Sequence, residues 1–196
     1  MFSRRQILLS TAALGAVSLA GCMGGGSRES AGPGAGVPPV APPVDAFSLD
    51  DLEQRTFQWF WDVGDPATGL IPDRWPTPSF ASIAAVGFAL TAYPIGVERG
   101  WISRDAARAR TLTTLRFFDT APMGEGESGV AGHRGFFYHF LDMKSGTRFG
   151  RTELSSVDTT LLLAGVLFAA QYFNGAGELD AEIRRLAEAV FDRVDW

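Results

Sequence analysis

The residues best placed to do chemistry are two carboxylates close together in the chain, Glu153 and Asp158, in the stretch Glu153-Leu-Ser-Ser-Val-Asp-Thr159. Such a pair can divide acid and base work, one carboxyl protonated as acid and the other ionised as base or nucleophile. Ser155 or Ser156 is a ready N-cap for the apolar run after it. Asp158 then falls in the first helical turn, where the dipole favours its negative charge, and Glu153 lies just outside on the entering loop. On this reading Glu153 keeps a raised pKa and serves as acid, while Asp158 serves as base or as acceptor for a sugar hydroxyl. Structural roles compete with these: a plain first-turn residue for Asp158, and an ion pair with Arg151 or Arg148 for Glu153.

The elements that must position this pair lie on either side. Upstream, Phe136-Phe-Tyr-His-Phe-Leu141 is rich in strand formers, with His139 alternating toward a cleft or packed within the strand. Asp142 opens a turn in which Gly146 is free to take a positive φ, so the expected unit is a hairpin near 135–150 feeding a helix over 156–173. That helix and one over 83–97 are apolar nearly all round, which marks inner helices. The segments 48–63, 104–118 and 178–194 carry one apolar face each and read as outer helices. A weak repeat joins the two halves: Asp65-Pro-Ala-Thr-Gly69 leads to Ser82 and an inner helix, and Asp142-Met-Lys-Ser-Gly146 leads to Ser156 and another, offset by 77 residues at the aspartates and 74 at the serines. Alternating inner and outer helices in pairs point to an all-α toroid or solenoid. Its inner-helix entry loops would gather Asp73, Arg74 and Trp75 with His139, Asp142, Arg151, Glu153 and Asp158. Acids, arginines and an exposed aromatic plate around a concave mouth suit a saccharide.

Composition excludes several alternatives. The only cysteine is Cys22, and it ends Leu19-Ala-Gly-Cys22, which looks like a bacterial lipobox. Ser3-Arg-Arg-Gln-Ile-Leu8 ahead of it resembles a twin-arginine export signal. Residues 1–22 are therefore read as a signal peptide with lipidation at Cys22, and the Gly- and Pro-rich 23–47 as a flexible tether. The domain would be held by lipid on the periplasmic side of a bacterial membrane, the outer one where the cell has it. The remaining chain has no thiol for catalysis, disulfides or metal, and His133 and His139 alone make no metal centre. No cofactor motif is visible. Setting aside Arg4 and Arg5 leaves 15 basic against 22 acidic residues, a net of −7, the wrong sign for nucleic acid.

Further segments carry a resemblance. Arg55-Thr-Phe-Gln-Trp-Phe-Trp-Asp62, Thr68-Gly-Leu-Ile-Pro-Asp-Arg74, 82–88 through 96–101, Leu112-Thr-Thr-Leu-Arg-Phe-Phe118, Gly135-Phe-Phe-Tyr-His-Phe-Leu-Asp142 and 153–159 are together similar to the bacterial glucoamylase-like family, which includes endo-β-1,2-glucanases. The resemblance implies an (α/α)6 toroid acting on a β-glucan in the periplasm. Members of that family are about twice as long, so 48–196 is expected to supply about five of twelve helices. The inner helices would then need a C-terminal half or a partner to cover them, and the second catalytic acid could lie outside the chain. A non-catalytic glycan-binding lipoprotein and a helical scaffold are the competing readings.

Overall fold

The computed structural model describes residues 48–196. The export signal, Cys22 and the tether lie outside the described residues. Five helices form: α1 (Leu49–Val63), α2 (Ile83–Glu98), α3 (Arg104–Thr120), α4 (Ser156–Tyr172) and α5 (Glu178–Asp192). Four of them start on a serine whose hydroxyl accepts a backbone N–H of the first turn: Ser48, Ser82, Ser103 and Ser155. The cap of α4 is thus Ser155, not its neighbour Ser156.

The helices sort by hydropathy into two layers. The apolar α2 and α4 pack directly on each other, and the amphipathic α1, α3 and α5 lie outside them, α1 and α3 on α2, and α5 on α4 and α3. Small residues set the inner contact. A Cβ added to Gly87 would stand 2.3 Å from the Leu161 carbonyl oxygen, and one added to Gly165 would stand 2.1 Å from that of Gly87. The two backbones touch there with no space for a methyl group. Around the contact Val86, Leu90 and Tyr93 of α2 and Leu162, Val166 and Ala169 of α4 are buried. Other faces of the same helices are bare: Phe88 and Ile95 on α2, and Val157, Leu161 and Phe168 on α4, are exposed. No helix among the described residues is long and apolar enough to cross a membrane.

The outer layer is pinned by charge. The Asp180 carboxylate, buried at the start of α5, accepts from Arg108 Nε at 2.6 Å and from the Gly175 amide at 3.0 Å. Arg116 of α3 grips Glu182 through two hydrogen bonds of 2.8 and 2.7 Å, and Arg193 donates to the Phe118 carbonyl at the end of α3.

The β structure is shorter and differently paired than expected. The run 136–141 is broken by a bend at His139 into β3 (Phe136–Phe137) and β4 (Phe140–Leu141). The former pairs with β2 (Gly132–His133) in a hairpin whose turn, Arg134-Gly135, has positive φ at both residues. The latter pairs with β1 (Ala81–Ser82), which comes from far upstream. Across the 142–146 turn only one isolated bridge forms, Leu141 to Arg148. The ladder that propensity assigned to neighbours in sequence is taken by β1, because the entry to α2 needs partners for its own amides.

The two halves of the repeat match atom for atom at their turns. Asp65 Oδ1 accepts from the amides of Ala67 and Thr68, and Asp142 Oδ1 from those of Lys144 and Ser145. In each, a glycine with positive φ (Gly69, Gly146) then donates its amide back to the aspartate carbonyl.

The glycine contact makes a stability prediction. Gly165→Ala must push α2 and α4 apart and should lower unfolding free energy by about 3 kcal/mol. Gly177→Ala, where an added Cβ meets nothing within 4 Å, should change it by less than about 1 kcal/mol. Urea unfolding of the two variants checks both.

Candidate active site

The site is built where the segment 137–139 runs between the N-termini of the two inner helices. The Ile83 amide, first in α2, donates to the His139 carbonyl at 3.2 Å. On the other side the His139 amide donates to the Glu153 carbonyl at 3.0 Å, and the Ser155 amide to the Phe137 carbonyl at 3.0 Å. The buried Thr159 hydroxyl, in the first turn of α4, accepts the Phe137 amide at 2.9 Å and donates to the Ser155 carbonyl at 2.6 Å. The backbone of one short segment thereby fixes both helix entrances and the loop that carries Glu153.

These bonds aim His139 at both carboxylates. Its Nδ1 lies 2.7 Å from Glu153 Oε1, and its Nε2 lies 3.6 Å from Asp158 Oδ1. The imidazole is stacked on the Phe140 ring, centroids 3.8 Å apart, so its plane is set from one face. Asp158 is anchored separately: its amide donates to Ser155 Oγ at 3.1 Å and the same hydroxyl donates to Asp158 Oδ2. The two acids differ in exposure. The Glu153 side chain is 67% exposed and the Asp158 side chain 14%.

The expected pKa of Glu153 does not survive this geometry. Its carboxyl is held below the usual carboxylate value, first by its own backbone amide and then by the hydrogen bond from His139. Desolvation pushes the other way but ranks below both, and the group favours the ionised state. Its partner is His139, not Arg151 or Arg148. Arg148 instead donates to the Thr152 carbonyl at 2.7 Å and lies over the Tyr138 ring, and Arg151 is exposed on the loop.

The remaining candidates fall into three places. Asp142 is committed to its turn, and the amides of Ser145 and Lys144 hold its carboxyl below the usual range. Asp73 and Arg74 form an ion pair with each other at 3.0 Å, and Arg74 lies over the Phe80 ring. Trp75 is 64% exposed beside them. Their loop reaches the site through Phe80, whose ring packs at a tilt against Phe140, centroids 4.1 Å apart, and against Phe149 at 4.7 Å. The structure therefore brings Glu153, His139 and Asp158 into one cluster and joins Arg74 to it by a column of rings. The column itself is not visible in sequence: Phe80 stands in a loop far upstream of Phe140, with no spacing to link them. The bridging role of His139 had one signal, its alternation in the aromatic run.

No family model matches the chain. Over 161 residues, 79% of its length, the chain is 28% identical to an exo β-1,2-glucooligosaccharide sophorohydrolase (non-reducing end) of Parabacteroides distasonis, of which it covers 21%. A β-1,2-glucanase structure from Parabacteroides distasonis superposes with a TM-score of 0.67 at 27% identity, over 76% of this chain and 21% of that one. The endo-β-1,2-glucanase of Chitinophaga pinensis, solved with sophorotriose and glucose, superposes at 0.63 with 24% identity, over 74% of this chain and 36% of that one. The chain thus spans between about a fifth and about a third of the lengths of the proteins it matches. Its helix pairs are those of the glucoamylase-like (α/α)6 toroid enzymes.

Removing the imidazole tests the cluster directly. In His139→Phe the Glu153 carboxyl should titrate at higher pH than in the parent, because the hydrogen bond that favours its ionised form is lost. It should still stay below the ordinary value, since its own amide remains. Carboxyl-detected NMR titration of parent and variant reads the difference, and an unchanged Glu153 midpoint would show that His139 does not hold it.

Proposed function

We propose that this chain belongs to an exported, lipid-anchored glycoside hydrolase-like protein that acts on a β-glucan, by acid/base hydrolysis at Glu153 and Asp158. One observation carries the reading: two carboxylates stand on opposite nitrogens of a single imidazole at the entrance to an inner helix. The chain that builds this cluster is similar to a β-1,2-glucooligosaccharide hydrolase. Asp73, Arg74, Trp75, His139, Asp142 and Arg151 are the candidate substrate contacts around it. The geometry favours a different division of labour from the sequence. Glu153, held ionised, is the base or stabilising anion, and Asp158, the more enclosed of the two, is the second carboxylate of the pair. The bare faces of α2 and α4 are assigned to further toroid helices, in keeping with the partial coverage of the solved toroids. Glu153→Gln and Asp158→Asn should each lower hydrolysis of β-1,2-gluco-oligosaccharides by about 10²-fold or more while binding persists. Hydrolysis at the parent rate in both variants would sink the assignment.

A second reading is a glycan-binding protein without turnover. It is favoured by the same ion pair: among the described residues, the exposed carboxylate at the mouth of the site is tied up in its ionised form by His139. Saccharide binding with no product from the parent chain would select it.

The anchor has its own test. Cys22 should take up labelled palmitate in a bacterial host, and Cys22→Ser should move the protein from the membrane to the soluble fraction. Incorporation of label into Cys22→Ser would remove Cys22 as the acceptor.

A further inference from the structure

On the loops that ring contacts join to the carboxylate cluster, the chain holds a concavity of about 540 Å³, open to solvent. Arg74, Ser79, Phe80, Asp142, Lys144 and Phe149 are among the residues that line it. Neither the turn aspartates nor the His139 cluster accounts for its make-up. Phe149 is 40% exposed although it is a large apolar ring, and it ends the column of rings that starts at His139 and passes through Phe140 and Phe80. The Phe149 amide donates to the Phe140 carbonyl at 3.0 Å, so the ring is tied by backbone to the same segment that carries His139. In the wall Ser79 Oγ is enclosed with no hydrogen-bond partner, a state that native structures seldom leave unanswered. Two cations, Arg74 and Lys144, line the same concavity; Asp142 lines it too, and Arg74 is paired with Asp73.

An apolar ring face bordered by donors and acceptors of both signs, with little net charge, matches a pyranose. Its C–H face needs an aromatic plate and its hydroxyls need polar partners at the rim. A fatty chain would leave the charges without purpose, and a phosphate would meet the Asp142 carboxylate and an Arg74 already paired with Asp73.

We propose that this groove is a second saccharide subsite, which takes a glucose unit of the same chain whose linkage lies at Glu153 and Asp158. The inference rests on the β-glucan reading and adds to it where the chain runs: from the carboxylates along the His139–Phe149 column. Phe149 supplies the stacking face, and Arg74 and Lys144 supply donors to the hydroxyls. The site thereby favours substrates long enough to span both places.

Calorimetric titration of the full chain tests this, with β-1,2-linked glucose disaccharide and successively longer oligosaccharides in the Glu153→Gln background to suppress turnover. The expected result is an affinity that rises with length. Phe149→Ala should cut that gain by about tenfold and leave the disaccharide unchanged, with Phe149→Trp retaining the gain. Lys144→Ala, a surface change with no packing to lose, should reduce it more modestly. An unchanged length dependence in Phe149→Ala and Lys144→Ala overturns the subsite and leaves the hydrolase reading standing. Absence of binding by any oligosaccharide overturns both. Loss of disaccharide binding in Phe149→Ala, with the circular dichroism of the parent and no rescue by Phe149→Trp, also overturns it, because the ring would then be acting on the first site.

Discussion

The backbone contact between Gly87 and Gly165 governs the layout of the inner helices and, through them, of the site. Two helices that carry large side chains at their crossing stay about 8–10 Å apart. With glycine on both sides α2 and α4 close until backbone atoms of one helix occupy the place of the other's missing Cβ. Their N-termini are consequently near enough for one short extended segment to serve both. The segment 137–139 does so, accepting the Ile83 amide on one side and the Ser155 amide on the other. Helix N-termini leave backbone donors without intrahelical partners. Here those donors are spent on holding a strand, and the strand carries the histidine. The position of the bridging imidazole is therefore set largely by main-chain hydrogen bonds, to which the Thr159 hydroxyl adds a side-chain bond at the Phe137 amide.

The same arrangement explains the irregular β structure. A regular strand from 136 to 141 would keep Phe137, His139 and Leu141 on one face. Phe137 and Leu141 are buried, so His139 would be buried with them, and the imidazole would lose both carboxylates. The bend at His139 resolves this conflict. It divides the run into two strands with separate partners, β2 on one side and β1 on the other. The cost is a ladder of two residues in each case, offset by side-chain bonds such as Thr159 to the Phe137 amide.

Much of this was legible in the sequence, for reasons that are local. Serine before an apolar run marks a helix start through its own hydroxyl, so the caps at Ser48 and Ser103 could be read directly and that of α2 narrowed to Ser79 or Ser82, of which the structure uses Ser82. The repeated Asp-x-x-x-Gly turn works the same way, since aspartate binds amides two and three residues on, and the glycine needs only its own φ. Inner and outer helices separate because hydropathy around a helix reports what surrounds it. The failures are non-local. Whether β4 pairs with β1 or with the residues after the turn depends on which backbone arrives beside it, and Ala81, the partner of Leu141, lies far upstream in the chain. The pKa of Glu153 failed for a related reason. A loop position says nothing about which side chain lies opposite, and the partner proved to be His139 and not either nearby arginine. The phenylalanine column could not be found at all, because ring packing leaves no periodic trace when the rings come from separate loops.

Charge at the entrance to α4 is shared unequally between the two acids. Asp158 sits in the first turn, where the helix field and the Ser155 hydroxyl both stabilise a negative oxygen. Glu153 lies outside that turn and has only its own amide and His139. That acid is also the one most exposed to solvent, and so the one able to turn away from the ring. Any group that is to reach both carboxylates needs such a movement, because the imidazole lies between them. The backbone clamps at 137–139 hold the histidine and Ser155 holds Asp158, so Glu153 is the member of the trio that the fold leaves able to move.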